Sequence, residues 1–180
     1  MKKSIVLGIL LACATIGVNA EQVRLYSATA NWGRETGYVI VYTTESEDFY
    51  RYNNGRFNVH SWVPTILNVP MLPVNGDGCQ FQNGDGTVTL VVSGSNYIGE
   101  SPEEAIARKT DPSITYKEAG ENWYVVSGVK DGKVYYEKRF IGNRTSAGLY
   151  FSYPYSEKEY YDWMVPVLED HFTFDDWARF

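Results

Sequence analysis

Cysteine is almost missing from this chain: among 180 residues only Cys13 and Cys79 carry a thiol. Cys13 falls inside the leader described below, so the mature chain keeps one thiol and can close no disulfide within itself. Cys79 has no companion ligands at metal spacing, which argues against a zinc site. It is expected as a buried thiol, with an intermolecular or reactive one as the alternative. Histidine is equally scarce, and neither His60 nor His171 sits in a Gly-x-Ser-x-Gly or His-Glu-x-x-His pattern. His60 is expected half-buried on a strand, and His171 near a helix end whose dipole it complements. Basic residues are in the minority, 16 against 22 acids for a net charge of −6. Their longest groupings, Arg108-Lys109 and Lys138-Arg139, are isolated pairs expected on solvated faces. Nucleic acid is therefore a poor partner, because phosphate binding needs clustered Lys and Arg. Long apolar runs are missing too, with none reaching the ~18 residues of a spanning helix.

What is present begins with the first twenty residues. Lys2 and Lys3, an uncharged run from Ile5 to Val18, and Val18-Asn19-Ala20 make the three parts of a secretory signal over residues 1–20. The mature chain is expected to be periplasmic or secreted. A rival reading takes Leu10-Leu11-Ala12-Cys13 as a loose lipobox with a lipid anchor at Cys13. Leu11 is unusual at its position, and Val-x-Ala fits the small-x-small cleavage pattern better. Losing Lys2 and Lys3 takes the basic count from 16 to 14 against 22 acids, a net charge of −8. The remaining ~160 residues suit one domain with an unstapled core.

Along that domain, Gly37 to Thr43 reads as a strand, and Asn54-Gly55 as a hairpin turn between two short ones. Residues 21–48 stand apart from the domain of residues 49–174. Pro64, Pro70 and Pro73 predict an extended, irregular segment. Asn75-Gly76-Asp77-Gly78 nearly repeats at Asn83-Gly84-Asp85-Gly86, and the second is expected to turn a hairpin. A calcium loop is the alternative, but the twelfth position from Asp77 is Val88 where a Glu is needed. Ser101-Pro102-Glu103-Glu104 opens a short helix with a capping box, ending near Lys109. Strands are expected over Ile114 to Glu118, Trp123 to Gly128, Val134 to Phe140 and Ala147 to Tyr153, with Asp131-Gly132 turning the second into the third. Ser156-Glu157-Lys158-Glu159 starts the longest helix, running to about His171 and kinked at Pro166, with Tyr160, Trp163, Met164, Val167, Leu168 and Phe172 as its buried stripe. Residues 175–180 form a tail.

The composition includes 5 Trp, 15 Tyr and 8 Phe. Most suit a sheet-rich core, and the remainder suit a recognition surface, where Tyr and Trp concentrate. Several segments in order resemble the PsbP-like fold: Tyr52 to Val59, Asn75 to Phe81 with Asp85-Gly86, the Ser101 helix, Trp123 to Gly128, and Tyr153-Pro154 before a closing helix. The resemblance implies an α+β domain, an antiparallel β-sheet flanked by helices, with a binding or scaffolding habit and no chemistry of its own.

These readings converge on a non-enzymatic exported protein that binds a protein or cell-envelope component through surface aromatics, with Tyr135, Tyr150, Tyr153 and Trp177 as the binding residues. No catalytic residue, metal ligand or cofactor is assigned. A more specific version is an immunity protein against an envelope-targeting toxin. The rivals are a glycan or peptidoglycan hydrolase using paired carboxylates such as Glu103-Glu104, Glu169-Asp170 or Asp175-Asp176, and a small-ligand carrier with an apolar pocket between sheet and helix.

Overall fold

The structure is a computed structural model that describes residues 24–32, 35–71, 75–96 and 99–176, with the backbone alone for residues 24–40. The leader, Cys13, Trp177 and Phe180 lie outside these residues. Two antiparallel sheets dominate. The first runs β1 (Arg24–Trp32), β2 (Glu35–Thr43), β3 (Phe49–Asn54), β4 (Val59–Pro64), with the short C-terminal β12 (Thr173–Phe174) closing its edge. The second has seven strands in the order β5 (Val69–Met71), β6 (Gly78–Gln82), β7 (Thr89–Asn96), β11 (Thr145–Pro154), β10 (Lys133–Ile141), β9 (Trp123–Lys130) and β8 (Ile114–Ala119). Within residues 21–48, β1 and β2 thus add an antiparallel pair of strands to the first sheet. The proline-rich stretch is less irregular than expected, since Pro70 sits within β5 opposite Phe81. An edge strand tolerates the missing amide.

One buried cluster joins the sheets. Tyr52, Val59 and Val63 from the first meet Phe81, Leu90, Leu149 and Phe151 from the second, all nearly or fully shielded from water. Alternation decides which side chains join it: in β11, Ala147, Leu149, Phe151 and Tyr153 point inward while Gly148 and Tyr150 point out. Pleating forces this alternation, because successive side chains leave a strand on opposite faces.

Local chemistry explains the connections. Asp131 and Gly132 both have positive φ, +50° and +74°, as a two-residue hairpin turn requires. At the other expected turn it is Asn58, with φ +51°, that adopts the left-handed conformation. Residues 55–58 therefore form a longer loop, tied down by Asn54 Oδ1, which accepts from the amides of Arg56 and Phe57 at 2.9 and 3.2 Å. The first helix, α1 (Pro102–Ala107), carries the expected capping box: the Glu104 amide donates to Ser101 Oγ, and the Ser101 amide to Glu104 Oε2.

The closing helix departs from expectation. It is broken into a 3-10 turn (Tyr155–Glu157), α2 (Lys158–Tyr161) and α3 (Met164–His171). Pro166 has no amide for the Asp162 carbonyl, which accepts instead from Val165 at 3.2 Å. The break rotates the two halves relative to one another. Tyr160 and Trp163, expected in the buried stripe, are exposed, and Tyr161 takes the core position with Met164, Leu168 and Phe172.

Asp176 holds the turn before β11. Its carboxylate accepts from the amides of Asn143, Arg144 and Thr145 and from the Thr145 hydroxyl. Backbone and hydroxyl donors favour the ionised form and hold this carboxyl below its ordinary value, against the opposing effect of burial. A depressed folded value contributes stability above the unfolded value near 4 and loses it as pH falls through the folded one. Asp176→Ala is expected to cost about 1 kcal/mol at pH 7. The difference from the parent should shrink steadily below pH ~4 in urea melts.

Candidate binding face

The seven-stranded sheet has a second face, turned away from the core, and α1 covers only part of it. Ala105 and Ile106 pack on Tyr124, Val126, Ala119 and Ile141, a small cluster above β8, β9 and the end of β10. The rest of the face, over β10, β11 and β7, is left open by the described residues. Register places Glu137 opposite Tyr150, Tyr135 opposite Ser152 and Arg139 opposite Gly148. Tyr135 and Tyr150 are thus diagonal neighbours on adjacent strands, within reach of one another for side chains of this length. Their rings lie nearly parallel, 16° apart with centroids at 6.3 Å. The Tyr135 hydroxyl is within 3.2 Å of Ser113 Oγ, and a Cβ at Gly128 would come within 2.9 Å of it.

Beside this ledge runs a charged seam. Lys109 Nζ donates to both oxygens of Glu137, at 2.9 and 2.8 Å, and the Tyr124 hydroxyl donates to Glu137 Oε1 at 2.7 Å. Burial and the adjacent carboxylate push the Tyr124 phenol well above its ordinary value. α1 ends at Ala107 with Arg108 as its cap, so Lys109 is released from the helix and reaches down to the sheet. The seam separates two clefts. One, of about 400 Å³, is lined by Tyr135, Tyr150, Ser113, Asp111 and Lys130. The other, of about 350 Å³, lies toward Arg139, Ser95 and Ser146, and Lys109 borders both. In the first, the Lys130 ammonium and the Ser113 amide hold the Asp111 carboxyl well below its ordinary value.

The sequence-derived tyrosines separate here. Tyr135 and Tyr150 come together on the open face. Tyr153, three residues further along β11, faces the core at 1 % exposure, donating from its hydroxyl to Asp162 at 2.7 Å, so it is not a surface residue. Trp177 lies outside the described residues. Of the two basic pairs expected on solvated faces, Arg108 is exposed as expected while Lys109 is drawn onto Glu137, and the second pair divides between the two faces of the sheet. Lys138 and Arg139 leave β10 on opposite sides, Lys138 to Glu169 at 2.7 Å and the Trp123 ring, Arg139 to the outer face.

Both histidines border a third cleft, of about 310 Å³, on the first sheet. His171 stacks flat on Trp62, 3.5 Å between ring centres and 2° from parallel, and Trp62 meets Phe49 at 5.4 Å. Sequence reasoning had no signal for this, because the strand and helix that meet there are about a hundred residues apart. His60 is held by Asn53 and Asn58, and burial lowers its value below the ordinary range. Cys79 belongs to the core cluster instead, where burial pushes its thiol up to about 12. A nucleophile must be accessible and ionised, so the alternative of a reactive Cys79 has no support. Of the acids that the alternative calcium reading would use, Asp77 pairs with Arg56 and Asn75, and Asp85 accepts from the Thr87 amide and hydroxyl.

No protein-family model matches the chain, and no curated protein matches it.

Proposed function

We propose that this chain is an exported, non-enzymatic binding protein of the bacterial envelope, and that it recognises a protein or envelope component through the ledge formed by Tyr135 and Tyr150. The observation that carries the reading is that pair: two parallel phenol rings on the part of the sheet that α1 leaves open, next to a cleft walled by polar and charged side chains. Tyrosine supplies large, rigid contact area at low entropic cost and concentrates where binding energy does. Export rests on the three-part leader of residues 1–20. The order of capped short helix, antiparallel meander and closing helical segment supports the PsbP-like resemblance, and a toxin-neutralising immunity protein is a special case of the same reading.

Binding is favoured over hydrolysis because the acids near the open face are committed to cations: Glu137 to Lys109, Asp111 to Lys130, Glu100 to Arg108. A general acid for glycoside cleavage needs a carboxyl whose proton is retained, and a neighbouring cation opposes that. Tagged mature chain is expected to retain a stoichiometric partner from envelope extracts. The double variant Tyr135→Ala/Tyr150→Ala should retain less than about a tenth as much. Equal retention by both proteins would reject the ledge.

A further inference from the structure

We propose that the 350 Å³ cleft between α1 and the sheet binds a small molecule bearing a single carboxylate, with the Arg139 guanidinium as its anchor. The site lies across Lys109 from the tyrosine ledge and does not depend on it. The first argument is charge. Three cations surround the cleft, and two are already paired: Arg108 with Glu100, and Lys109 with Glu137. Arg139 lies within reach of the Tyr124 hydroxyl, yet it has no carboxylate partner among the described residues, and its Nε–H, shielded from solvent, has no acceptor there. Arginine cannot relieve this by losing its proton, and a half-buried charge without a counter-charge is costly. Three cations against two carboxylates leave one positive charge, which matches a carboxylate and not a doubly charged phosphate. This local excess stands out in a chain whose net charge is −6.

The second argument is shape. Arg139 lies over Gly148 on the neighbouring strand, where a Cβ would stand 3.5 Å from Nε and Nη2. The missing side chain lets the guanidinium lie close to the sheet, and a guanidinium takes a carboxylate through a planar, two-point hydrogen bond. Ser95 and Ser146, joined at 2.8 Å, supply hydroxyls on one wall, and Ala105 and Ile141 supply apolar surface on another. A few convergent polar groups against apolar surface, in a volume of this size, are the usual make-up of a small-molecule site.

The carboxylate could belong to a peptide C-terminus or to an acidic sugar, and two probes separate these sources. Amide resonances of the mature chain would be followed by NMR while N-acetylalanine, N-acetylmuramic acid, their uncharged counterparts N-acetylalaninamide and N-acetylglucosamine, and inorganic phosphate are titrated in turn. At least one acid should shift Ser95, Arg139 and Ser146 saturably, with its uncharged counterpart at least about tenfold weaker and phosphate weaker than the acid. Arg139→Gln should abolish the response, and Arg139→Lys should weaken it. In the parent protein the Arg139 Nε–H signal itself should move with the acid and not with the amide, a readout that needs no variant to fold. Failure of both acids, equal response to the uncharged compounds, preference for phosphate, or persistence in a folded Arg139→Gln would each overturn the proposal.

Discussion

Alanine at Gly94 is expected to destabilise the folded protein by about 3–5 kcal/mol. Gly94 faces inward from β7, and a Cβ there would stand 2.2 Å from Cβ and Cγ of Phe57, a side chain 3 % exposed in the loop between β3 and β4. Its amide also donates to the Asp77 carbonyl at 2.7 Å, which pins the backbone on the other side. Neither partner can yield cheaply. Phe57 is fixed by the Asn54 side chain at its own amide, and expelling a buried phenylalanine costs about 3–5 kcal/mol. That is a large part of the ~5–15 kcal/mol that holds an ordinary domain together. Phe57→Ala alone should also destabilise, yet Gly94→Ala added to it should cost much less than it does in the parent, because the clash has gone. Urea melts of the four proteins measure this coupling, and purely additive losses would show that the first sheet does not approach the second at this point.

The second large effect is a contrast between neighbours. Phe151→Ala should cost about 3–5 kcal/mol, since this fully buried ring packs against Tyr153 at 5.0 Å and Tyr161 at 6.4 Å. Tyr150→Ala, one residue earlier, should cost less than about 1 kcal/mol, because that side chain is on the outer face at 39 % exposure. The two substitutions therefore separate stability from recognition within a single strand. A core-sized loss at Tyr150 would mean that the outer face is covered.

How much of this was legible in the sequence depended on the range of the interaction. Asp131-Gly132 and the Ser101/Glu104 capping box were readable because each is decided by residues within four positions of one another. The break before α3 was half readable: Pro166 announced it, but the rotation that buries Tyr161 and exposes Trp163 depends on which face meets the core. The Asn54-Gly55 turn was misplaced because Asn54 is committed as an acceptor for two amides, leaving Asn58 to supply the left-handed residue.

The candidate site was only partly legible, for a different reason. Strand alternation makes Tyr135 and Tyr150 share a face, but their adjacency follows from pairing between strands with a loop between them. Tyr153 has the same residue type and nearly the same neighbourhood in sequence, and its odd offset from Tyr150 sends it inward. Lys138 and Arg139 illustrate the point again, since adjacency in a strand places two cations on opposite faces. The seam of Lys109, Glu137 and Tyr124 draws on three separate elements and left no local pattern to read.

The central claim is that the open face of the seven-stranded sheet is where a partner sits. Nitration of tyrosines by tetranitromethane, with the captured partner present and absent, tests it with controls built into the same molecule. Tyr155 and Tyr160 are 55 % and 59 % exposed and lie in the closing helical segment, away from the outer face. Complex formation is expected to protect Tyr150 and Tyr135 strongly while Tyr155 and Tyr160 react as before. Protection of Tyr155 and Tyr160 with Tyr150 still reactive would contradict the account and move recognition to the other side of the molecule.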